Sequence, residues 1–405
     1  MTRSVFVACA LAVPSIVQSQ ANQAFTLDQV LELAARQNPE VLIARAREVE
    51  ARGRLTTASV RFANNPDLDL FLGSRQQSVG GSTPEVDFNL LQRVEIAGQR
   101  GLRIASATAQ IAQRSADVDM AALTARAATA GAFYRALYAE RSREIARQAE
   151  QLADDLWNAA QARFQAGDTA VLDVNLARVE QARARRDRLS ADGLLERAYG
   201  ELREILALPP AAPVAVEGDW PGAVPPSLEA LLLRIVDRPD VRSLTADVTE
   251  ADADWRLAQT ARRPDLIVGL GLRREDGEPV AGAHVGFSLP LFQRNVGVVA
   301  SAAARVEGAR VSLAARRRTL ETRLRSAYTQ YTAAVAALNA LTAGGLPLVE
   351  ENEQLARESY QAGKLNLVDL LVIRREGFAA RRDTLDAQLS AALAMTELRL
   401  VAGTF

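Results

Sequence analysis

The sequence contains very few of the side chains on which most metal and thiol chemistry depends. Its 405 residues include one cysteine, Cys9, one histidine, His284, and three methionines. A metal centre needs several ligands, and covalent catalysis needs a nucleophile beside a base that a third group orients. The composition therefore predicts no bound metal, no other cofactor and no enzyme, and it disfavours a secreted hydrolase.

An excess of charge of one sign is also missing. There are 48 basic and 49 acidic residues, and Lys364 is the single lysine. Proteins that bind DNA or RNA carry a basic patch or stripe as an electrostatic footprint. We therefore expect no nucleic-acid partner.

Long apolar runs are absent after the first 21 residues. No run of 18 apolar residues follows, so a transmembrane helix is not expected, although a closed β-barrel can also satisfy its backbone in lipid. Residues 1–21 predict a secretory signal peptide, with Arg3, an apolar run over 5–17 and a small-residue cleavage site at Ala21. Cys9 lies within it, which leaves the mature chain without a thiol.

The clearest positive feature is an internal duplication. Four landmarks recur at an offset between 196 and 200 residues, which indicates a repeated structural unit. The pairs are Asn38-Pro39-Glu40 with Arg238-Pro239-Asp240, Pro66-Asp67-Leu68 with Pro264-Asp265-Leu266, Phe88-Asn89-Leu90 with Phe287-Ser288-Leu289, and Phe164-Gln165-Ala166-Gly167 with Tyr360-Gln361-Ala362-Gly363. We predict a first repeat over 22–208 and a second over 227–405. The linker between them, 209–226, holds six of the 15 prolines and suits neither a helix nor a central strand.

Each repeat contains a pair of alternating segments, about 66–94 and about 264–292. Apolar and other residues alternate with period two, which predicts strands with one apolar face. Their lengths approach the ~9–11 residues of a membrane-spanning strand. The opposite face carries Asp67, Asp69, Asp87 and His284. If it lines a lumen, the aspartates would favour cations; an ordinary polar lining without a specific role is the other interpretation.

Each repeat also predicts a long helical hairpin, about 98–206 in the first and about 297–401 in the second. Apolar residues recur every seven positions, from Ile104 to Ala160 and from Val299 to Leu341. Such a repeat indicates helices supercoiled against neighbours. At ~1.5 Å per residue, the first helix would be on the order of 100 Å long.

Four predicted strands cannot close into a membrane barrel, because such barrels begin at eight strands. Two chains would supply eight strands, and side chains fill the interior of an eight-stranded barrel. Three chains would supply twelve strands and leave a lumen. The small and polar residues of the second face favour twelve. The predicted fold is therefore mainly α with membrane β: long coiled helical hairpins that form an α-barrel, and four strands per chain in a trimeric twelve-stranded outer-membrane β-barrel.

Taken together, these features resemble the outer-membrane efflux protein (TolC) family over essentially the whole mature chain. The motifs that carry the resemblance are Phe25-Thr26-Leu27, Asn38-Pro39, Phe164 to Asp173 and Tyr360 to Asp369. Residues 94–100 resemble the CzcC-like heavy-metal branch. The resemblance implies a homotrimer in outer-membrane lipid with a periplasmic helical extension. It also implies a periplasmic adaptor and an inner-membrane pump of the RND type as partners. The competing interpretation, a periplasmic adaptor or scaffold without a pore, needs only one hairpin and one β domain, whereas both occur twice here.

The resemblance also implies a periplasmic gate at the two glycine-containing hairpin turns. Carried over by position, the gate residues are Gly167, Asp173, Tyr360 and Gly363, with Asp168, Lys364 and Asp369 beside them. Family members often have an arginine two residues after the second glycine, where this chain has Leu365. Two roles stay open for Asp173 and Asp369: capping the returning helices, or capping together with gating.

Overall fold

A computed structural model describes residues 24–76, 80–222, 224–275, 278–288, 292 and 294–405. The predicted signal peptide, with Cys9, lies outside the described residues. Leu289 and Leu291, at the end of the fourth alternating segment, lie outside them as well.

The described chain is mostly helical, with two strand pairs inserted between helices. The helices are α1 (Leu27–Gln37), α2 (Pro39–Ala58), α3 (Gln99–Gln165), α4 (Val171–Ile205), α5 (Leu228–Leu233), α6 (Pro239–Thr260), α7 (Val296–Ala340), α8 (Leu346–Gln361) and α9 (Leu367–Ala402). The strands are β1 (Asp67–Gln76), β2 (Ser82–Val94), β3 (Leu266–Glu275) and β4 (Glu278–Phe287). A 3-10 turn at Arg234–Asp237 and a π turn at Leu341–Gly345 complete the elements.

Prolines divide the first helices of each half at the predicted positions. Asn38 precedes Pro39, and its side-chain oxygen accepts a hydrogen bond from the amide of Glu40 at 3.0 Å. Pro39 and Pro239 open α2 and α6 as first helical residues. Proline suits this position because its missing N–H would be unsatisfied there in any case.

Two glycines end the long helices α3 and α8 with the same turn. Gly167 has φ +83° and Gly363 has φ +71°, in the left-handed region that favours glycine. The amide after each glycine donates back over five residues, from Asp168 to Arg163 O at 2.8 Å and from Lys364 to Ser359 O at 2.9 Å. These bonds satisfy carbonyl groups that the helix ends leave free.

The second hairpin differs from the expected uninterrupted helix. A π turn at Leu341–Gly345, with Gly344 and Gly345, separates α7 from α8, and Pro347 follows at the start of α8. Glycine and proline weaken the regular helical ladder here. The helical run Val296–Gln361 is also long and apolar enough to cross a membrane by length and composition alone, and no part of its most apolar stretch is buried. No such helix was expected, because no unbroken run of 18 apolar residues follows the first 21 residues. Uncharged polar residues interrupt this stretch without making it charged.

The four strands form one antiparallel sheet in the order β1-β2-β3-β4. Leu70 pairs with Phe88, Leu90 with Leu270, and Val268 with Val285. Because these pairs continue from strand to strand, most apolar residues of the four strands share one face, whereas Phe71, Leu91 and Ile267 lie on the other. The alternation in the sequence predicted this face correctly.

The chain divides into two compact units. The hairpin unit contains 24–34, Ala128–Gly222 and Ala334–Leu393 of the described residues. Its core is rich in alanine, and the buried residues that recur every seven positions along α3 are Ala132, Ala139, Ala146, Ala153 and Ala160. Small side chains at a helical seam let neighbouring helices approach closely, as the seven-residue pattern predicted.

The sheet unit contains Ala35–Ala127, Ala223–Ala333 and Ala394–Phe405. One of its apolar clusters is built from α5, α6, α7 and the end of α9, and its buried members include Leu231, Val241, Leu320, Leu324 and Leu398. Beside this cluster the guanidinium of Arg238 donates to the carbonyl oxygen of Leu400 at 2.6 Å. Arg238 thereby ties the start of α6 to the end of α9.

Candidate functional site: the polar sheet face and the hairpin turns

The polar face of the sheet gathers the four candidate lumen residues. In the register of the sheet, Asp69 pairs with Asn89, Asp67 pairs with Leu91, and His284 pairs with Gly269, and paired residues lie on the same face. Asp87 belongs to the same face and is paired in register with Phe71. The prediction that these residues share the face opposite the leucines agrees with the register. That this face lines a lumen stays a prediction.

A positive residue that the sequence analysis did not single out stands on the same face. Arg273 is the register partner of Asp87 across β2 and β3. The Oδ1 atom of Asp87 is buried and has no hydrogen-bond partner among the described residues. The face therefore carries basic as well as acidic residues, since Arg75 on β1 and Arg93 on β2 belong to it together with Arg273 on β3. No local pattern marks the pairing of Asp87 with Arg273, because the two residues lie 186 positions apart.

Two glycines on β3, Gly269 and Gly271, lie close to atoms of β2. A Cβ atom at Gly269 would lie 2.5 Å from the carbonyl oxygen of Leu90, and one at Gly271 would lie 2.7 Å from Oδ1 of Asn89. The backbone of β2 excludes a side chain at Gly269, whereas at Gly271 the Asn89 side chain would have to move. The glycines therefore leave this part of the polar face open.

The opposite sheet face is apolar and exposed. Exposed fractions are 60% for Leu68, 69% for Leu72, 65% for Leu270 and 67% for Val285. A contiguous apolar surface of this kind marks contact with lipid or with another protein. Its chemistry is opposite to that of the face that carries the aspartates.

In the hairpin unit, Tyr360 on α8 contacts the last turn of α3. Arg163 donates a hydrogen bond from Nη1 to the Tyr360 hydroxyl oxygen at 3.3 Å, and its guanidinium carbon lies 5.8 Å from the ring centroid. The Tyr360 ring packs against a cluster that includes Ala160, Ala177 and Leu371. Arg163 was not among the candidates. The one feature of the sequence that could have pointed to Arg163 is its position as a cation in the last turn of α3. A cation there also interacts favourably with the helix dipole.

The two returning helices hold Asp173 and Asp369 at their third positions, not at the N-cap. Ala170 is the N-cap of α4, and the Thr169 hydroxyl bonds to the Asp173 carboxylate. In α9, Asn366 accepts from the amide of Asp369 at 2.9 Å and donates to its carboxylate at 2.8 Å. A carboxylate in the first helical turn is stabilised by the helix dipole. Both aspartates thus support the helix starts without acting as the N-cap residue itself.

Asp168 and Lys364 are exposed beside the two turn glycines. In the described part of the chain neither side chain forms a hydrogen bond or an ion pair. Lys364 therefore does not pair with Asp168 or Asp173 within one chain. A pair between neighbouring chains stays a prediction.

The described residues offer no cluster for a metal centre. No group of three or more His, Cys, Asp or Glu among them is arranged to hold a metal ion. The chemistry of the two candidate regions is that of a charged polar surface and of paired helix turns.

The chain is similar to known proteins in sequence and in fold. The sequence profile of the family described as outer membrane efflux protein matches residues 30–208 and 233–404. The cobalt-zinc-cadmium resistance protein CzcC of Cupriavidus metallidurans is 28% identical over 366 residues, which cover 88% of this chain and 84% of CzcC. Among solved structures, the outer-membrane channel OprN superposes with a TM-score of 0.77 at 18% identity, over 94% of this chain and 90% of OprN. CusC, whose structures are described in terms of folding and transmembrane channel formation, superposes with a TM-score of 0.74 at 16% identity over 95% of each chain.

Proposed function

The chain belongs to the outer membrane efflux protein family, and we propose that it is the exit duct of a tripartite efflux system. The duct conducts substrate passively from a periplasmic adaptor and an inner-membrane pump of the RND type to the exterior. The observation that carries the proposal is the sheet with one exposed apolar face and one polar, charged face. The role involves neither catalysis nor a cofactor.

We propose heavy-metal cations as the cargo. The similarity to a cobalt-zinc-cadmium resistance protein over most of both chains supports this assignment. Asp67, Asp69 and Asp87 place negative charges on the proposed lumen face, and these favour cations. His284 is the single histidine, so the duct would pass metal ions without binding them through soft ligands, and the pump would select them.

The proposed assembly is a homotrimer. In the sheet order, β1 and β4 are edges without a partner among the described strands. An open edge in lipid leaves amide and carbonyl groups unsatisfied at several kcal/mol each. Three chains would close a twelve-stranded barrel whose apolar face meets outer-membrane lipid. The two segments matched by the family profile support the proposed repeats, 22–208 and 227–405, with 209–226 as the linker.

We assign the gate to the two hairpin turns that contain Gly167 and Gly363. The contact between Arg163 and Tyr360 is a bond between the two hairpins within one chain, and cation–π contacts at exposed sites contribute about 0.5–1 kcal/mol. Around a trimer, three such contacts would bias the turns towards a closed arrangement. Asp168, Asp173, Lys364 and Asp369 would supply contacts between neighbouring chains, each worth roughly 0–1 kcal/mol.

The first test is assembly and conductance of the purified protein in detergent. Light scattering should report a trimer, and planar bilayers should show cation-selective channels. Replacing both Asp69 and Asp87 by Asn should shift the reversal potential in a salt gradient towards zero. A soluble monomer without channel activity would overturn the proposal and favour the adaptor or scaffold.

The gate is tested separately by single-channel conductance. Tyr360→Ala, which removes the ring that Arg163 contacts, should raise conductance. Asp173→Ala and Lys364→Ala should do the same, because they remove the proposed contacts between neighbouring chains. Arg310→Ala serves as the matched control, since this exposed arginine on α7 has no ion-pair partner in the described chain. Conductance equal to wild type would remove the altered residue from the gate.

A further inference from the structure

Arg374 on α9 is a buried cation with almost no partner. Its side chain is 9% exposed, and its guanidinium forms no hydrogen bond with any residue that the structure describes. The closest carboxylate oxygen, Oε2 of Glu353, lies 3.9 Å from Nη1. Burying a charge without hydrogen bonds is strongly unfavourable. The Nε atom of Arg374 is therefore left without an acceptor in the described part of the chain.

Glu353 does not neutralise this charge, because it is already bound to another arginine. Arg381 donates to Oε2 from Nη2 at 2.6 Å and to Oε1 from Nη1 at 3.3 Å. Gly377 leaves the space that this carboxylate occupies, since a Cβ atom at that position would lie 1.7 Å from Oε1. Burial, followed by the nearby guanidinium of Arg357, lowers the pKa of Arg374 below its ordinary value. Two guanidinium groups, those of Arg374 and Arg381, thus share one carboxylate, and a third, that of Arg357, lies near Arg374.

A groove in the hairpin unit opens beside this excess of positive charge. It has a volume of about 640 Å³ and lies between α3 and the pair α8 and α9. Arg357 and Arg374 line it, together with Arg147, whereas Asp155 is the only carboxylate in its lining. Arg147 already binds Glu144 at 3.0 Å, but Arg357 has no hydrogen bond or ion pair in the described chain. The remaining walls include Leu152, Leu156 and Leu370.

We propose that this groove is a binding site for an oxyanion, held between the guanidinium groups of Arg357 and Arg374. The planar guanidinium donates two parallel N–H bonds to phosphate or carboxylate oxygens. An oxyanion would supply the hydrogen bonds that Arg374 lacks and the negative charge that Glu353 shares with Arg381. The apolar walls fit the body of an organic acid, and the charged end alone fits inorganic phosphate. Tyr360, which belongs to the proposed gate, also lines the groove, and the test of the site is anion binding, which is measured separately from conductance.

Isothermal titration calorimetry on the full chain, purified in detergent, tests the site. Inorganic phosphate and benzoate are titrated in separate experiments, with chloride holding the ionic strength constant. Wild type should bind at least one of them with a dissociation constant of about 1 mM or lower. Tighter binding of benzoate would identify an organic acid as the ligand class, and tighter binding of phosphate an inorganic anion.

Two arginine variants and one control decide whether the site is the groove. Arg357→Gln should weaken binding about tenfold and should fold normally, because Arg357 is exposed. Arg374→Gln should abolish binding, provided that circular dichroism shows an intact fold. Arg317→Gln, which removes an exposed cation on α7, should bind as wild type does. Absence of binding in wild type, or equal affinity in wild type and Arg357→Gln, would overturn the proposal.

Discussion

Replacing Asp240 by Asn should destabilise the sheet unit far more than an exposed ion pair of similar length would. The Asp240 carboxylate accepts from Arg238 at 3.0 and 3.1 Å and from Arg316 at 2.6 and 2.8 Å. The Arg238 side chain is only 3% exposed. Removing the negative charge leaves a buried guanidinium without its counter-ion. The amide also presents N–H donors to two arginines that can only donate.

The size of the effect follows from this burial. Breaking a buried pair by removing one partner costs about 3–5 kcal/mol. We expect about 3 kcal/mol, because Asn keeps one acceptor and Arg238 keeps its bond to Leu400 O. With ~2.1 cal/mol/K per residue over 405 residues, this corresponds to a fall in Tm of about 3–4 °C. Circular dichroism during thermal unfolding in detergent measures the shift.

Asp119 provides a matched control in the same unit. Its carboxylate binds Arg242 at 2.6 Å, but both side chains are 50% exposed. Asp119→Asn should therefore change the free energy of unfolding by no more than about 1 kcal/mol. Equal shifts in Tm for the two variants would refute the argument from burial.

The effect of Asp240→Asn should also depend on pH. Burial raises the pKa of Asp240, but the hydrogen bonds from Arg238 and Arg316 outweigh it and hold the pKa below its ordinary value of 3.8. A carboxylate whose pKa is lower in the folded state stabilises the fold above that ordinary value. The contribution is lost as pH falls through the folded-state pKa. The difference between wild type and variant should be full at pH 7 and should shrink below about pH 4; an undiminished difference in acid would contradict it.

Three further variants test the packing around other buried or strained positions. Gly377→Ala should lower the free energy of unfolding by about 2 kcal/mol because its methyl group meets the Glu353 carboxylate, whereas Gly308→Ala, with open space around it, should not destabilise; urea unfolding compares them. Gly363→Ala should cost about 1 kcal/mol from its left-handed backbone, and an unchanged midpoint would argue against strain there. Burial raises the pKa of Glu250, so its contribution to stability is present below the ordinary pKa of 4.5 and is lost as pH rises through the folded-state value; Glu250→Gln should flatten this decline in a pH series of thermal melts, and an unaltered profile would exclude Glu250 as its source.

Local patterns in the sequence determined the elements and much of the candidate site. Alternation placed Asp69 and His284 on the face opposite the leucines, and Pro39 and Pro239 marked helix starts. Gly167 and Gly363 marked the turns. Each of these inferences depends on neighbouring residues, whose spacing alone decides which face they share or whether a helix can continue.

Only the tertiary structure decided which distant residues meet. Asp87 pairs with Arg273 on the neighbouring strand, and Arg163 on α3 contacts Tyr360 on α8. Arg381 donates hydrogen bonds to Glu353, whereas Arg374 forms no hydrogen bond in the described chain. These contacts join segments tens to hundreds of residues apart, and the chain shows no periodic signal for them. They arise when helices and strands pack at one register out of several that the local pattern allows, because that register buries the most apolar surface and satisfies the most polar groups.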